Sequence, residues 1–411
     1  MLSRYKSGLI ALFARVHRLQ ADPTGKRLLA LEIQEELLLR IGRAERVIRR
    51  TRNEIDALKC RLAQRGNDRE TSRQIKAQRI GAENKIELQR EVLAILRAVG
   101  DAIAFIYGDR WDLTQLVKHE TSGFITGKRG TRFERRAFRQ VFHVTKDAVA
   151  VLNDVTHTLR HGDITVFSPT SWPEGRFGLF ELKSGRGGSR SRTARQSEAL
   201  ERVSNYLRTD VRQAEDGSTW RRESIMSHPE HHFDTVARLI AELPRPGWLF
   251  REIEPGLEYG IIEYREGDKF SEEMLDTLKQ TAHHQRLFLF VNEMKYQHDL
   301  AYYPFPLCFR DPEALFRFYN GELLIYLVID MDRVNELLVS HRLSARLSDR
   351  DFFFWEIVPL ADEERSWHIS SHMVGRLAGE FLRLDWLLEN TVIGGLGHDV
   401  YRRFREAEGN Y

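Results

Sequence analysis

The residues best equipped for chemistry lie mid-chain, in His161-Gly-Asp163-Ile-Thr-Val-Phe167 and Phe177-Gly-Leu-Phe-Glu181-Leu-Lys183-Ser-Gly185, with turn formers between them. Both stretches read as short apolar strands. Side chains alternate along a strand, so Glu181 and Lys183 share one face about 7 Å apart. Paired as an antiparallel hairpin, the strands bring Asp163, at the start of one, toward Glu181, near the end of the other. Two carboxylates and the carbonyl of Leu182 form a ligand set suited to a hard dication, Mg²⁺ or Mn²⁺, with water and phosphate completing the shell. Such an ion lowers the pKa of a bound water and neutralises charge building on a phosphate. Lys183 has two roles open to it: orienting or deprotonating the attacking water, or meeting the developing negative charge. The plainer alternative is an exposed Glu181–Lys183 ion pair, contributing at most about 1 kcal/mol. Phe177 and Leu179 on the same face argue against a fully solvated strand.

These residues need a frame. Strand-like runs are expected at 143–151, 163–167 and 177–183, a helix at about 194–207, and two more strands near 248–253 and 257–264. Helical texture precedes them from Asp101 to about Phe142, where Thr131-Arg-Phe-Glu134 has the form of a capping box. The loop Gly185-Arg-Gly-Gly-Ser-Arg-Ser-Arg192 reads as flexible, with Arg186, Arg190, Arg192 and Arg195 available to phosphates.

At these positions the chain resembles the PD-(D/E)xK nuclease superfamily, over about Thr131 to Tyr264. Asp163 matches its first acidic position and Glu181-Leu-Lys183 its E-x-K; Gly162 stands where the family's name has Pro. The resemblance implies a restriction-endonuclease-like α/β core with a mixed sheet. It implies that Gln196 on the following helix orients water or substrate, and that Glu134, on the helix before the sheet, joins the metal ligands. Read from the residues alone, Glu134 is first a helix cap and Gln196 equally a helix-surface residue.

Upstream, Leu37, Ile41, Ala44, Ile48, Thr51, Ile55, Leu58 and Leu62 repeat with heptad spacing, Gly66-Asn-Asp68 interrupts, and Ile75, Ala82, Ile86, Leu93 and Leu96 resume the stripe. A helical hairpin is expected, packed either on the body or on a second copy. The fold class is therefore α/β in three parts: a helical hairpin or coiled-coil arm over 1–100, a nuclease-like domain over 101–268, and a C-terminal α/β domain over 269–411 with no assigned role.

Composition restricts the remainder. With 42% hydrophobic and 30% charged residues in 411, and no apolar run of membrane length, the chain reads as globular with no membrane partner. Two distant cysteines, Cys60 and Cys308, argue against a disulfide framework or zinc site and fit a cytoplasmic setting. Net charge is only +3, yet Lys26 to Arg65 holds eleven basic residues against six acidic ones, which is either a solvated helix face or a surface for a polyanion. His228, His231 and His232 lack ligand spacing, Asp332 reads as a helix cap rather than a cation ligand, and neither Gly394-Gly-Leu-Gly397 nor Gly127-Lys-Arg-Gly130 fits a phosphate loop.

The expected function is Mg²⁺- or Mn²⁺-dependent cleavage of DNA, with a prokaryotic genome-defence role as an analogy. The alternatives are an RNA-cleaving nuclease and a catalytically inactive nucleic-acid-binding or assembly protein on the same scaffold, with a protein partner or trigger at the C-terminal unit.

Overall fold

A computed structural model describes residues 2–64, 68–114, 116, 123–128, 130–168, 177–182, 190–209, 211–213, 219–221, 228–244, 247–264, 286–296, 302–349, 353–361 and 366–393. Two compact units are distinguished, Met1–Arg208 and Thr209–Tyr411. The architecture is mixed α/β with a helical N-terminal region. No helix among the described residues is long and apolar enough to cross a membrane.

In the first unit, α1 (Lys6–Ala21), α2 (Arg27–Ala63) and α3 (Arg69–Tyr107) pack on one another, α2 against α3 along most of their length. The heptad stripe explains this pairing. Leu37, Ile41, Ala44, Ile48, Thr51, Ile55 and Leu58 are buried on α2, and Ile75, Ala82, Ile86, Leu93 and Leu96 on α3. Asp68 starts α3 as its N-cap, its side chain accepting from the Thr71 N–H. The short helix α4 (Arg110–Thr114) follows.

Next come α5 (Thr131–Val144), β1 (Val149–Leu152), a 3-10 turn (Asn153–Val155), β2 (Ile164–Phe167), β3 (Phe177–Phe180) and α6 (Arg190–Thr209). The strands form an antiparallel sheet in the order β1-β2-β3. Every residue of β1 and β2 is buried, because α5, α2 and α3 all pack against β1. The exposed polar groups of an edge strand would be costly there. Buried Gln34 of α2 satisfies them, donating to the Ala150 carbonyl at 2.9 Å and accepting from the Leu152 N–H at 2.9 Å.

Three expectations change. The run at 143–151 is the end of a helix followed by a four-residue strand. Helix α5 has no capping box: its N-cap is Gly130, at φ +107, where a left-handed turn makes no side-chain cap bond, and Thr131 Oγ1 instead bonds the Lys128 carbonyl at 3.2 Å. The sheet was expected to be mixed, whereas every described pairing is antiparallel. The short β1–β2 and β2–β3 links explain this, since a parallel crossover needs a dozen or more residues and usually a helix.

The second unit, described by itself, contains β4 (Val211–Gln213), β5 (Thr219–Arg221), α7 (Phe233–Glu242), β6 (Trp248–Glu254), β7 (Leu257–Glu263), β8 (Arg286–Phe290) and β9 (Leu323–Asp330). Its four-stranded antiparallel sheet runs β6-β7-β9-β8, and β10 (Leu343–Leu347), β11 (Phe353–Pro359) and β12 (Trp367–Ser370) form another. Phe305, Phe309, Phe318, Phe381 and Tyr259 cluster edge-to-face and tilted in its core. The helix at Met331–Val339 is capped by Asp330, whose side chain accepts from the N–H groups of Asp332 and Arg333. The expected cap, Asp332, lies instead in the first turn.

Candidate acid cluster at the end of the small sheet

Asp163 stands one residue ahead of β2. Its N–H donates to the Phe180 carbonyl at 2.8 Å, and its own carbonyl accepts from the Asn153 N–H at 3.0 Å, so the backbone is held from both sides. Before it, Gly162 adopts φ +74, and a Cβ there would lie 2.8 Å from the Phe180 carbonyl oxygen. Only glycine suits this turn. The side chain is oriented as well, with Oδ2 accepting the Leu182 N–H at 2.7 Å.

Ile164↔Phe180 is the last pair of the β2–β3 ladder, and the Asp163 N–H also reaches the Phe180 carbonyl. Asp163 thus lies one residue before β2 and Glu181 one residue after β3, both at the same end of the hairpin. Glu181 and Leu182 are half-buried at the end of β3.

Glu134 joins them from α5. Burial, then the negative charges of Asp163 and Asp154, push its carboxyl up to about 7; the charge of Glu181 adds to the rise, and the Lys128 ammonium opposes it. Asp163 is also raised, first by burial and then by Asp154, while its bond from Leu182 and the charge of Lys128 pull the other way. Carboxylates from three other segments thus act on Glu134 in one electrostatic field.

Two members, Asp154 and Lys128, escaped the sequence reading. Lys128 Nζ meets both Asp154 oxygens, at 2.5 and 2.7 Å, across a separation of 26 residues. The only signal was Asn153-Asp154 directly after an apolar strand, and Lys128 within a glycine-flanked run that fits no phosphate loop.

The supports of this cluster are buried polar groups. Gly100 of α3 leaves room for the 3-10 turn that carries Asp154, since a Cβ at Gly100 would fall 2.0 Å from the Val155 carbonyl oxygen. Asp101 accepts from the N–H groups of His157 at 2.9 Å and Thr158 at 2.8 Å; burial nonetheless pushes its carboxyl up to about 6. Fully buried Glu45 of α2 accepts from the N–H groups of Ile125 and Thr126, each at 2.8 Å, and from Thr126 Oγ1 at 2.7 Å. Arg97 donates to the Gly123 carbonyl at 3.0 Å and lies 3.8 Å from Glu45. The 123–128 segment leading to Lys128 is thereby clamped to both long helices.

Lys183 and Arg186 lie outside the described residues. Arg190, Arg192, Arg195 and Gln196 have a described backbone but no described side chains. That backbone is helical from Arg190, so α6 starts four residues before the expected Ala194, and Arg190 and Arg192 belong to a helix rather than a flexible loop. Arginine is a good helix former, and the last glycine of the run is Gly188.

Among the described residues no group of three or more His, Cys, Asp or Glu side chains closes on a single point as a metal site. The acids converge in charge on Glu134, but their oxygens are not gathered into a closed shell. A half-buried group of mutually repelling carboxylates nevertheless suits a dication, which would relieve the repulsion that raises Glu134 and Asp163.

In the second unit, His231 Nδ1 lies 2.9 Å from the Glu380 carbonyl and its ring stacks on Phe233, while His232 Nε2 contacts Glu254 in a buried pair. Both rings are thus engaged with protein groups.

Compared with known proteins, the chain matches no family model, no curated protein and no solved structure.

Proposed function

We propose that this chain is a metal-dependent nuclease that hydrolyses phosphodiester bonds of DNA, on a core of the restriction-endonuclease-like kind. The observation that carries the reading is the placing of acids at one end of the small sheet, Asp163 just ahead of β2 with its carboxylate aimed by the Leu182 N–H and Glu181 just after β3, with Glu134 of α5 near enough to feel the charge of both. Acids crowded this way are expensive to keep ionised unless a cation shares them. The order α5-β1-β2-β3-α6, with an acid ahead of β2 and another after β3, supports the same reading.

Asp163, Glu181, Glu134 and the Leu182 carbonyl would hold the ion. When bound, Mg²⁺ or Mn²⁺ supplies Lewis acidity toward a phosphate oxygen and an acidified water. The chain's own contribution is positional and protonic. The Leu182 N–H fixes the direction of the Asp163 carboxylate. The Glu134 carboxyl, raised by its acidic neighbours, would be held ionised by the shared cation, so binding the ion would release a proton near neutral pH. Lys183 is assigned the ammonium that orients the attacking water or meets charge on the phosphate.

The test is turnover of DNA by the purified chain with Mg²⁺ or Mn²⁺ against EDTA, beside Glu181→Ala and Lys183→Ala. We expect cleavage to be lost in EDTA and in both variants; undiminished cleavage in both variants rejects the assignment. A second reading, a nucleic-acid-binding protein without catalysis, is favoured by the lack of a closed ligand group among the described residues. It predicts salt-sensitive DNA binding with no turnover in any metal.

A further inference from the structure

Between Leu37 and Asn53 on α2 the only acidic residue is Glu45, which is fully buried and committed to the Ile125–Thr126 backbone. The same stretch exposes Arg43, Arg46, Arg49, Arg50 and Arg52. Helical spacing sets Arg43, Arg46 and Arg50 on one face, at i, i+3 and i+7. Arg49 and Arg52 flank it, their guanidinium groups 5.2 and 5.4 Å from the Phe124 ring centre. From Arg43 to Arg52 the stripe extends about 14 Å along the axis, at about 1.5 Å per residue.

Several other arginines on these helices are matched to acids. Arg15 contacts Glu32 and Glu36, Arg40 contacts Glu36, and Arg135 and Arg139 of α5 both contact Glu35. Among the described residues, Arg43, Arg46 and Arg50 form no ion pair. Like charges three and four residues apart destabilise a helix, and a solvated face gains nothing from them. An exposed stripe of like charge without internal acidic partners is open to an external anion.

The stripe is also tied to the acid cluster. The Arg49 guanidinium donates to the Thr126 carbonyl and lies 3.3 Å from where a Gly127 Cβ would be; the next residue, Lys128, holds Asp154. Glu45 and Arg97 keep this segment from moving independently of α2 and α3.

We propose that the α2 arginine stripe is a docking track for the phosphate backbone of double-stranded DNA, held in fixed relation to the acid cluster. The assignment rests on the nuclease reading for the identity of the anion. Guanidinium groups bind phosphate oxygens in a fork, and contacts of this kind fix position without reading sequence. The track therefore binds duplexes irrespective of sequence, and its affinity falls steeply with salt.

The test uses the full chain in EDTA and a fluorescein-labelled random-sequence DNA duplex, with anisotropy read at several salt concentrations. In the Arg43→Ala/Arg46→Ala/Arg50→Ala triple variant we expect at least about tenfold weaker binding at 0.1 M salt and a log–log salt slope shallower by about 2 to 3, since each lost phosphate contact removes about 0.9. Replacing all three by Lys restores most of the slope, because the charge is kept. Alanine is the better helix former, so α2 is retained, and a melting curve matching that of the native chain verifies it. Unchanged affinity and slope in the triple variant overturn the proposal, as does a native chain that does not bind the duplex or that binds duplex RNA or single strands in preference. The nuclease reading is separated by the cleavage assay. A chain that binds through the stripe but cleaves nothing with Mg²⁺ or Mn²⁺ supports the track and removes the enzyme; one that cleaves while the triple variant binds normally removes the track alone.

Discussion

Asp163 Oδ2 accepts the N–H of Leu182 at 2.7 Å, so the first acid of the cluster is aimed by the backbone that carries the second. Asp163→Asn retains a side-chain oxygen for that bond while removing the charge. The Glu134 carboxyl, at about 7 in the native chain, should then titrate lower, because Asp163 is the largest charge raising it after burial. Carboxyl-detected NMR titration measures this, and an unmoved Glu134 would show that burial alone sets its value.

The raised Glu134 has a sign for stability. Its carboxyl binds protons more tightly folded than unfolded, so the folded chain holds more protons between about 4.5 and about 7. Stability contributed by the protonated form is complete below the unfolded value and is lost as pH rises through the folded one. Glu134→Gln removes the dependence. The variant should gain about 1 kcal/mol over the native chain at pH 8, allowing for solvent screening of a half-buried group, and gain nothing at pH 4. Thermal denaturation at the two pH values reads the difference, and an equal effect at both would refute it.

Gly100→Ala places a methyl carbon 2.0 Å from the Val155 carbonyl oxygen, which is backbone and cannot swing aside. The expected cost is about 1 to 3 kcal/mol, as for other overpacked interiors. It should come with a fall in DNA cleavage, because the displaced turn carries Asp154. Urea denaturation with a nuclease assay at a temperature where the variant is folded tests both parts; full activity would show that Asp154 is dispensable.

Gln34→Leu keeps the volume and removes both bonds to β1, leaving the Ala150 carbonyl and the Leu152 N–H buried without partners. The penalty should be about 2 to 4 kcal/mol. Hydrogen exchange at the Leu152 amide locates the effect, and retained protection there would mean that another group had taken over.

How far these relationships could be read in advance depended on their range along the chain. The α2 and α3 stripes and the β2–β3 hairpin are local patterns, and they sufficed to set Asp163 and Glu181 at one end of the same hairpin. The Lys128–Asp154 pair and the Glu45 clamp join residues 26 and about 80 apart, and nothing in the local spacing of either partner signals the other. Glu134 was partly hidden by a coincidence of letters. Thr131-x-x-Glu134 mimics a capping box, but the left-handed Gly130 begins the helix one residue earlier, and Glu134 is left to face the acids.

The turn at Gly162 closes off one route that the resemblance would suggest. Proline holds φ near −65°, on the opposite side of zero from the +74° found here, so the Pro-Asp pair of the superfamily's name is barred from this backbone. A pattern insisting on that imino acid would pass this chain over for a reason of stereochemistry, while the carboxylate it is meant to flag is aimed from an achiral neighbour instead.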